Sequence, residues 1–287
     1  MAITSMDQLP AAFESGQKKQ INDRLPTGLG RDTRNKARNL RKYAGVVVVL
    51  AVWCALSYGR VVDATRLPTP TALWDQFVSL ATHGFHGVSL EDNILVSVEQ
   101  TMLGLGFGIV FGVSFGLAMG YSKVIEELFG TLFSFIRPIP AIAFLPLAVL
   151  YLGIGLTPKV VLISVTSFLF IVMSTESGVR GIQHDLLRVA KNLGLNRYQT
   201  FRYIILPGAT PGIMTGVRTG LALSWALIVA VELIAAQSGL GYMIEQAGNF
   251  FELKIVFIGI ILIGIIGVIL DSVVVLIERR LLHWQGR

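Results

Sequence analysis

Five ionisable side chains lie inside long apolar stretches of this sequence, where charge is rare: Glu99, Arg137, Glu176, Arg218 and Glu232. One charge at the centre of a membrane helix costs about 2.5–3.5 kcal/mol on insertion scales, so each group needs a role that offsets this cost. An arginine in such a place can attract a negatively charged solute, and Arg137 is the first candidate. Alternatively, Arg137 or Arg218 forms a structural ion pair with Glu99 or Glu232.

The sequence lacks the motifs by which common enzyme classes are recognised. It contains no G-x-x-x-x-G-K-[ST] phosphate loop, no H-E-x-x-H metal motif and no G-x-S-x-G nucleophile motif. His83 and His86 are close in sequence, but a metal site needs more ligands than two. Cys54 is the only cysteine, which excludes a disulfide scaffold and favours a packing role. We therefore expect no catalytic residue, cofactor or metal in this chain, and we expect that it is not itself an enzyme.

The composition places these charges in a membrane protein. The chain has 287 residues, 53% of them apolar and 15% charged, whereas soluble domains are about a quarter charged. Its mean hydropathy is +0.66. A segment of about 20 apolar residues is long enough to cross a bilayer. The predicted fold is all-α and polytopic, with transmembrane helices at residues 44–66, 93–121, 125–152, 159–174, 209–236 and 255–277.

The distribution of basic residues sets the orientation of these helices. A basic tail at residues 1–43 precedes the first helix, whereas the opposite side of the membrane holds only Arg60, Arg66, Lys159 and Lys254. The positive-inside rule then places both termini in the cytoplasm. We interpret the net charge of +6 as topology, with a weak attraction to anionic membrane lipid, and we expect no nucleic-acid partner.

Two rows of glycines recur at every fourth position. One row is in the second predicted helix and the other opens the fifth, at Gly104, Gly108, Gly112, Gly116 and Gly120, and at Gly208, Gly212, Gly216 and Gly220. Small residues at this spacing let helix backbones approach closely in lipid. The rows predict close helix packing, either static or as smooth faces on which helices move against each other.

Prolines mark two further segments. Pro70 fits the first position of a short helix at residues 70–84, which we expect at the outer membrane interface. Pro138, Pro140 and Pro146 interrupt the third apolar segment, and each removes a backbone donor and kinks a helix. Freed carbonyls at membrane depth are tolerated only against protein or a wet cavity. This segment is therefore predicted to line a pathway.

Residues 185–194 predict a short, half-apolar helix on the cytoplasmic side. Asp185 can cap its start, Gly194 can adopt the left-handed closing conformation, and Asn196 can cap the following segment. An apolar helix outside the membrane needs a cover. Either a partner protein covers it, or it lies on the membrane surface as an interfacial helix.

The same segment resembles the EAA loop, the signature of permease subunits of bacterial ATP-binding-cassette importers. The matching positions are Val189-Ala190, Gly194, Ile204 and Leu206-Pro207. Arg188 stands where the acidic residue of that loop is usual. The resemblance extends from about residue 67 to the carboxyl terminus.

Other motifs resemble the nitrate, sulfonate, taurine and bicarbonate branch of this family. They are Leu67-Pro68-Thr69-Pro70, Arg137-Pro138-Ile139-Pro140, Gly153-Ile154-Gly155, Gly216-Val217-Arg218 and Ser224-Trp225. The run from Glu232 to Ala236, the Gly239-Leu240-Gly241 motif, the Gln246 to Phe250 run and the ending Arg279 to Trp284 are most similar to taurine permeases.

The resemblance implies a type I importer permease: a five-helix core in residues 67–287 with an added first helix at 44–66, in the bacterial inner membrane. Two copies, expected to be identical, would form the pathway for taurine or another organosulfonate, with a nitrate- or bicarbonate-type oxyanion as the alternative. Two cytoplasmic ATPase subunits would use ATP and Mg, and a periplasmic or lipid-anchored binding protein would deliver the solute. A more distant alternative is an ion-coupled secondary transporter, which would need an internal inverted repeat.

The residues themselves, together with this resemblance, give two sets of candidate residues. The ATPase-docking set is Asp185, Leu186, Leu187, Arg188, Val189, Ala190, Lys191 and Gly194. The candidate pathway set is Arg137, Pro138, Pro140, Arg218, Ser224, Trp225 and Glu232.

Overall fold

The structure is a computed structural model and describes residues 44–45, 47–59, 61–63 and 65–282. Its regular structure there is helical, apart from one isolated bridge between Phe85 and Val88. The helices are α1 (Val47–Tyr58), α2 (Pro70–His83), α3 (Leu90–Tyr121), α4 (Lys123–Ile136), α5 (Leu145–Leu152), α6 (Leu156–Arg180), α7 (His184–Asn192), α8 (Arg197–Thr200), α9 (Leu206–Ala235), α10 (Leu240–Asn249) and α11 (Leu253–Leu281). The chain divides into two compact units, residues 1–69 and 70–287.

The first unit contains the apolar helix α1. This helix is shorter than the 18 residues that mark a candidate membrane span. The Ser57 hydroxyl donates a hydrogen bond of 3.2 Å to the carbonyl of Leu67, after the helix has ended. The basic tail at 1–43 lies outside the described residues, so a crossing by the segment 44–66 stays a prediction.

The second unit contains the helices that are long and apolar enough to cross a membrane. Among the described residues these are α3, α6, α11 and a 39-residue rod, Arg197–Ala235. The rod is made of α8, a π-helical turn (Phe201–Ile205) and α9. The pair of Lys123–Ile136 and Ala141–Leu152, bent by 87°, is either a fifth, broken span or a re-entrant loop. These elements correspond to the second to sixth predicted helices, and each begins earlier in the sequence than predicted.

Helix α6 lies between α3 and α9, and both glycine rows face it. On one side, a Cβ atom at Gly112 would lie 2.9 Å from the Cβ of Ile171. On the other side, a Cβ at Gly212 would lie 2.7 Å from the Cα of Gly178. Real Cβ atoms essentially never approach this closely, so both backbones meet α6 without room for a side chain. The predicted close packing is confirmed.

The prolines of the third segment act differently from one another. Pro138 and Pro140 lie between α4 and a 3-10 turn (Ala141–Phe144), at the sharp bend. Pro146 was expected to kink a helix, and this is wrong, because it lies in the first turn of α5. The missing N–H of a proline costs nothing there, since the first N–H groups of a helix have no intrahelical acceptor.

Two short helices complete the second unit. Helix α2 begins at Pro70 as predicted and buries Leu73 and Leu80, with Phe77 only partly covered. Helix α10 was not expected from the sequence. It lies between α9 and α11, and its Leu240 and Met243 are fully buried.

Candidate functional site

Helix α7 has one side attached to the protein and one side free. Ala190 is buried, and Leu187 packs on the cluster formed by Val179, Ile205 and Ala209. Three other apolar side chains are exposed: Leu186 at 49%, Val189 at 51% and Leu193 at 72%. At about 100° per residue these three share one face. The predicted docking set is therefore divided between a face that holds the helix in place and a face that is open.

The ends of α7 partly match the sequence prediction. Gly194 has a φ of 72°, and its N–H donates to the carbonyl of Lys191 at 3.0 Å. Asn196 forms a capping box with Gln199, in which each side chain accepts a hydrogen bond from the other's backbone N–H. The predicted cap by Asp185 is wrong: Gln183 precedes the helix, and the Asp185 carboxylate instead accepts from Arg188 at 3.4 Å.

The π-helical turn at Phe201–Ile205 connects α8 directly to α9. Such turns interrupt a helix without ending it and are frequent at functional sites. The capping box, the π turn and α9 thus make one continuous helical rod that starts beside α7. The sequence showed the caps, but nothing in it indicated the π turn.

Arg137 follows directly on α4, where the bent pair breaks. With Pro138 and Pro140 it lines a cavity of about 700 Å³ whose walls are otherwise almost entirely apolar, including Leu162 and Leu227. Its guanidinium carbon lies 5.5 Å from the centre of the Phe170 ring, a distance suited to a cation–π contact. Helix α4, helix α6 and the proline bend thus place the Arg137 guanidinium at the edge of the apolar cavity.

A second cavity, of about 530 Å³, adjoins the same guanidinium. Its lining is Arg137, Phe170, Met173, Ser174, Glu176, Ser177, Gly178, Gly212 and Thr215. Glu176 is paired with Arg180, which also contacts Glu126 at 2.6 Å. Along α6 the apolar cavity covers residues 161–170 and the hydroxyl-lined cavity covers residues 170–178. Arg137 and Phe170 line both and therefore stand at the boundary between them.

The remaining pathway candidates do not line either cavity. Arg218 forms two hydrogen bonds with Asp271 of α11, at 2.7 and 2.8 Å. Ser224 is fully buried, and the Trp225 indole donates to the carbonyl of Ile263 at 3.1 Å. These residues face the interior or α11, so the structure does not bring them together with Arg137.

Glu232 lies in a buried polar cluster that the sequence did not reveal. Its carboxylate accepts from the Ser97 hydroxyl at 2.8 Å and from the Gly241 N–H at 2.9 Å. Ser97 in turn accepts from the N–H of Leu240, and Asn93 accepts from the N–H of Gly239. These side chains satisfy the free N–H groups at the start of α10.

The expected pairing of Arg137 or Arg218 with Glu99 or Glu232 is therefore wrong. Among the described residues, Arg137 and Glu99 form no ion pair, and the cation that acts electrostatically on Glu232 is the buried Lys159. The spacing of Asn93 and Ser97, one helical turn apart at the start of α3, was the only signal of this cluster in the sequence.

Comparison with known proteins agrees with this architecture. The family model described as "Binding-protein-dependent transport system inner membrane component" matches residues 108–283. The taurine transport system permease protein TauC of Escherichia coli is 36% identical, over 84% of this chain and 88% of that protein. A putative aliphatic sulfonates permease of Bacillus subtilis is 34% identical, over 83% and 85%. The nitrate import permease of Synechocystis is 30% identical, over 83% and 88%.

A solved structure shares the fold. An inward-facing form of the MetNI methionine ABC transporter superposes with a TM-score of 0.58 at 20% identity, over 67% of this chain and 95% of that chain. The all-α, type I permease fold predicted from the sequence is confirmed. Permease subunits of this kind are not themselves enzymes and cross the inner membrane several times. The chain belongs to the binding-protein-dependent transport system inner membrane components, the permease subunits of ATP-binding-cassette importers.

Proposed function

We propose that this chain forms, together with a second identical copy, the membrane pathway of an importer for a small organosulfonate such as taurine. The observation that carries the proposal is the position of Arg137 at the boundary of the two cavities. The similarity to the taurine and sulfonate permeases supports the substrate class.

The surroundings of Arg137 suit the passage of an anion that carries a hydrocarbon portion. A hydrocarbon portion can occupy the apolar cavity, while the sulfonate faces the guanidinium. Hydroxyls of Ser174 and Ser177 lie beyond it in the second cavity and can donate to the sulfonate oxygens. An opposite charge in surroundings of low polarity attracts more strongly than in water, so one cation suffices to lower the barrier.

The free face of α7 is the proposed ATPase-docking surface. Leu186, Val189 and Leu193 are exposed apolar side chains that a docked partner would bury, whereas Leu187 and Ala190 pack the helix against the permease. In this proposal, ATP and Mg belong to two cytoplasmic ATPase subunits, and a binding protein delivers the solute from the outside. Force on α7 reaches the membrane through the continuous rod Arg197–Ala235.

The Arg218–Asp271 pair supports a second copy. Its side chains are 51% and 43% exposed although both belong to membrane-spanning helices. Charges facing lipid are costly, so a protein neighbour on this face is favoured over lipid. A second permease copy is the neighbour that the family implies.

A variant of Arg137 tests the pathway. In proteoliposomes with ATPase and binding protein, Arg137→Gln should reduce taurine uptake by about tenfold or more, equivalent to about 1.4 kcal/mol of lost stabilisation, while ATP hydrolysis continues. Arg137→Lys keeps the charge and should retain part of the uptake. Arg279→Gln, at the exposed end of α11, is the matched surface control. Full uptake by a folded Arg137→Gln protein would contradict the proposal.

The nitrate permease relative favours a second candidate, an oxyanion without an organic body. Competition separates the two substrates: excess nitrate should leave taurine uptake unchanged if the organic body is recognised. Inhibition by nitrate with no inhibition by an alkanesulfonate would favour the oxyanion importer.

A further inference from the structure

A third cavity, of about 790 Å³, lies beneath α7, at the ends of α3 and α6 and the start of α4. Its ionisable lining consists of Lys123, Arg180, His184, Arg188, Lys191 and Arg197, with Tyr121 at the end of α3 and the single carboxylate Glu126. Val179, Ile182, Leu187, Leu195 and Ile205 supply an apolar part of the wall. We refer to this cavity as the basic pocket.

Within the described residues, carboxylates balance only some of the cations of the basic pocket. Arg180 is the partner of both Glu126 and Glu176, so the only carboxylate of the lining is already paired. Arg188 makes one exposed contact with Asp185 at 3.4 Å. Lys123, Lys191 and Arg197 form no ion pair within the part of the chain that the structure describes. Because like charges converging on one cavity repel, an anion that enters it gains from several cations at once.

The two sides of α7 serve different contacts. The residues that line the basic pocket, His184, Leu187, Arg188 and Lys191, lie on the side of the helix opposite to Leu186, Val189 and Leu193. A partner on the free face therefore leaves the pocket accessible from the membrane side. The pocket is a separate site from the proposed ATPase surface and from the cavities at Arg137.

We propose that the basic pocket binds a phosphate group, supplied either by the headgroup of an anionic phospholipid or by free phosphate. Basic pockets between the cytoplasmic ends of membrane helices suit anionic headgroups, and the apolar wall beside the cations suits the start of an acyl chain. A bound phosphate bridges Lys123 at the start of α4 to Lys191 on α7, and so ties the docking helix to the membrane core. Neither the transported solute nor the ATPase contact is needed for this binding.

Lipid retention by the purified, full-length permease complex tests the proposal. Native mass spectrometry after exchange into phosphatidylglycerol measures bound lipid in the wild type and in the triple variant Lys123→Gln, Lys191→Gln and Arg197→Gln. The control triple variant Arg202→Gln, Arg279→Gln and Arg280→Gln removes the same charge from exposed positions outside the basic pocket. We expect retention to fall by well over tenfold in the pocket variant only, because three basic contacts are lost.

A second arm identifies the source of the phosphate. In neutral phosphatidylcholine nanodiscs, millimolar inorganic phosphate should raise the thermal stability of the wild type and not of the pocket variant if free phosphate is the ligand. Retention of phosphatidylglycerol without this effect identifies the lipid.

The single variant Lys191→Gln, at an exposed position, keeps the proposal testable if the triple variant misfolds, and it should lower retention about fivefold. Equal loss in pocket and control variants, or no dependence of either ligand on the pocket residues, would overturn the proposal.

Discussion

At the scale of single residues, the buried carboxylate of Glu232 is satisfied by the start of a helix and by a residue far away in sequence. Glu232 is only 1% exposed, yet its carboxylate accepts from Ser97 and from the first turn of α10. The cluster therefore fixes α3, α9 and α10 to each other. The Glu232 carboxylate lies outside both cavities at Arg137.

Ser97→Ala should destabilise the permease without changing its membrane insertion. The change removes a donor to Glu232 and an acceptor for the N–H of Leu240, and leaves both groups buried, at a cost of about 1–3 kcal/mol. Thermal unfolding in detergent should show a lowered Tm. Ser114→Ala, on the exposed side of the same helix, removes only a bond to Val110 and should leave the Tm nearly unchanged. Equal Tm values for both variants would refute the role of the cluster.

Local features were predictable from the sequence, and long-range pairs were not. The turn at Gly194, the cap at Asn196 and the glycine rows depend on a few neighbouring residues, so their spacing was enough. The Arg218–Asp271 and Ser97–Glu232 contacts join residues 53 and 135 positions apart. Which charged residues meet depends on the relative rotation and offset of whole helices, and several pairings fit the same apolar segments. The expected arginine–glutamate bridge failed for this reason.

At the scale of elements, α6 is the central helix and has little freedom to shift. Ile171 contacts Gly112 of α3 on one side and Gly216 and Gly220 of α9 on the other. Side chains of α6 thus fill the space that the glycines leave open on both sides. This favours static packing of the three helices over sliding.

A side chain at Gly112 should separate α3 from α6. Gly112→Leu forces atoms into the space of Ile171 and the carbonyl of Phe168, so we expect the helices to move apart. The free energy of unfolding should fall by about 1–3 kcal/mol, as is typical of overpacking, and the folded yield and the Tm should fall with it. Gly106→Leu is the matched control, because no atom lies within 4 Å of a Cβ there. A stable, fully active Gly112→Leu protein would show that the close approach is dispensable.

At the scale of the whole molecule, one side of α7 stabilises the fold and the other side is available for binding a partner subunit. The double variant Leu186→Ser and Val189→Ser should abolish co-purification of the ATPase while leaving the Tm of the permease unchanged, because both side chains are exposed in the isolated chain. Leu187→Ser should lower the Tm, because Leu187 packs on Ile205 and Ala209. Asn192→Ser, at an exposed polar position of the same helix, should retain the ATPase. Normal ATPase binding by the double variant would remove α7 from the docking surface.

The 39-residue rod Arg197–Ala235 has a consequence for motion across the bilayer. At 1.5 Å per residue it measures about 58 Å, nearly twice the thickness of the hydrocarbon core. One degree of tilt at the end near α7 therefore displaces the opposite end by about 1 Å. That distant end carries Glu232 and, through it, the first turn of α10. A tilt of a few degrees by the packed helices α3, α6 and α9, about the end near α7, would therefore displace the residues around Glu232 by several ångströms.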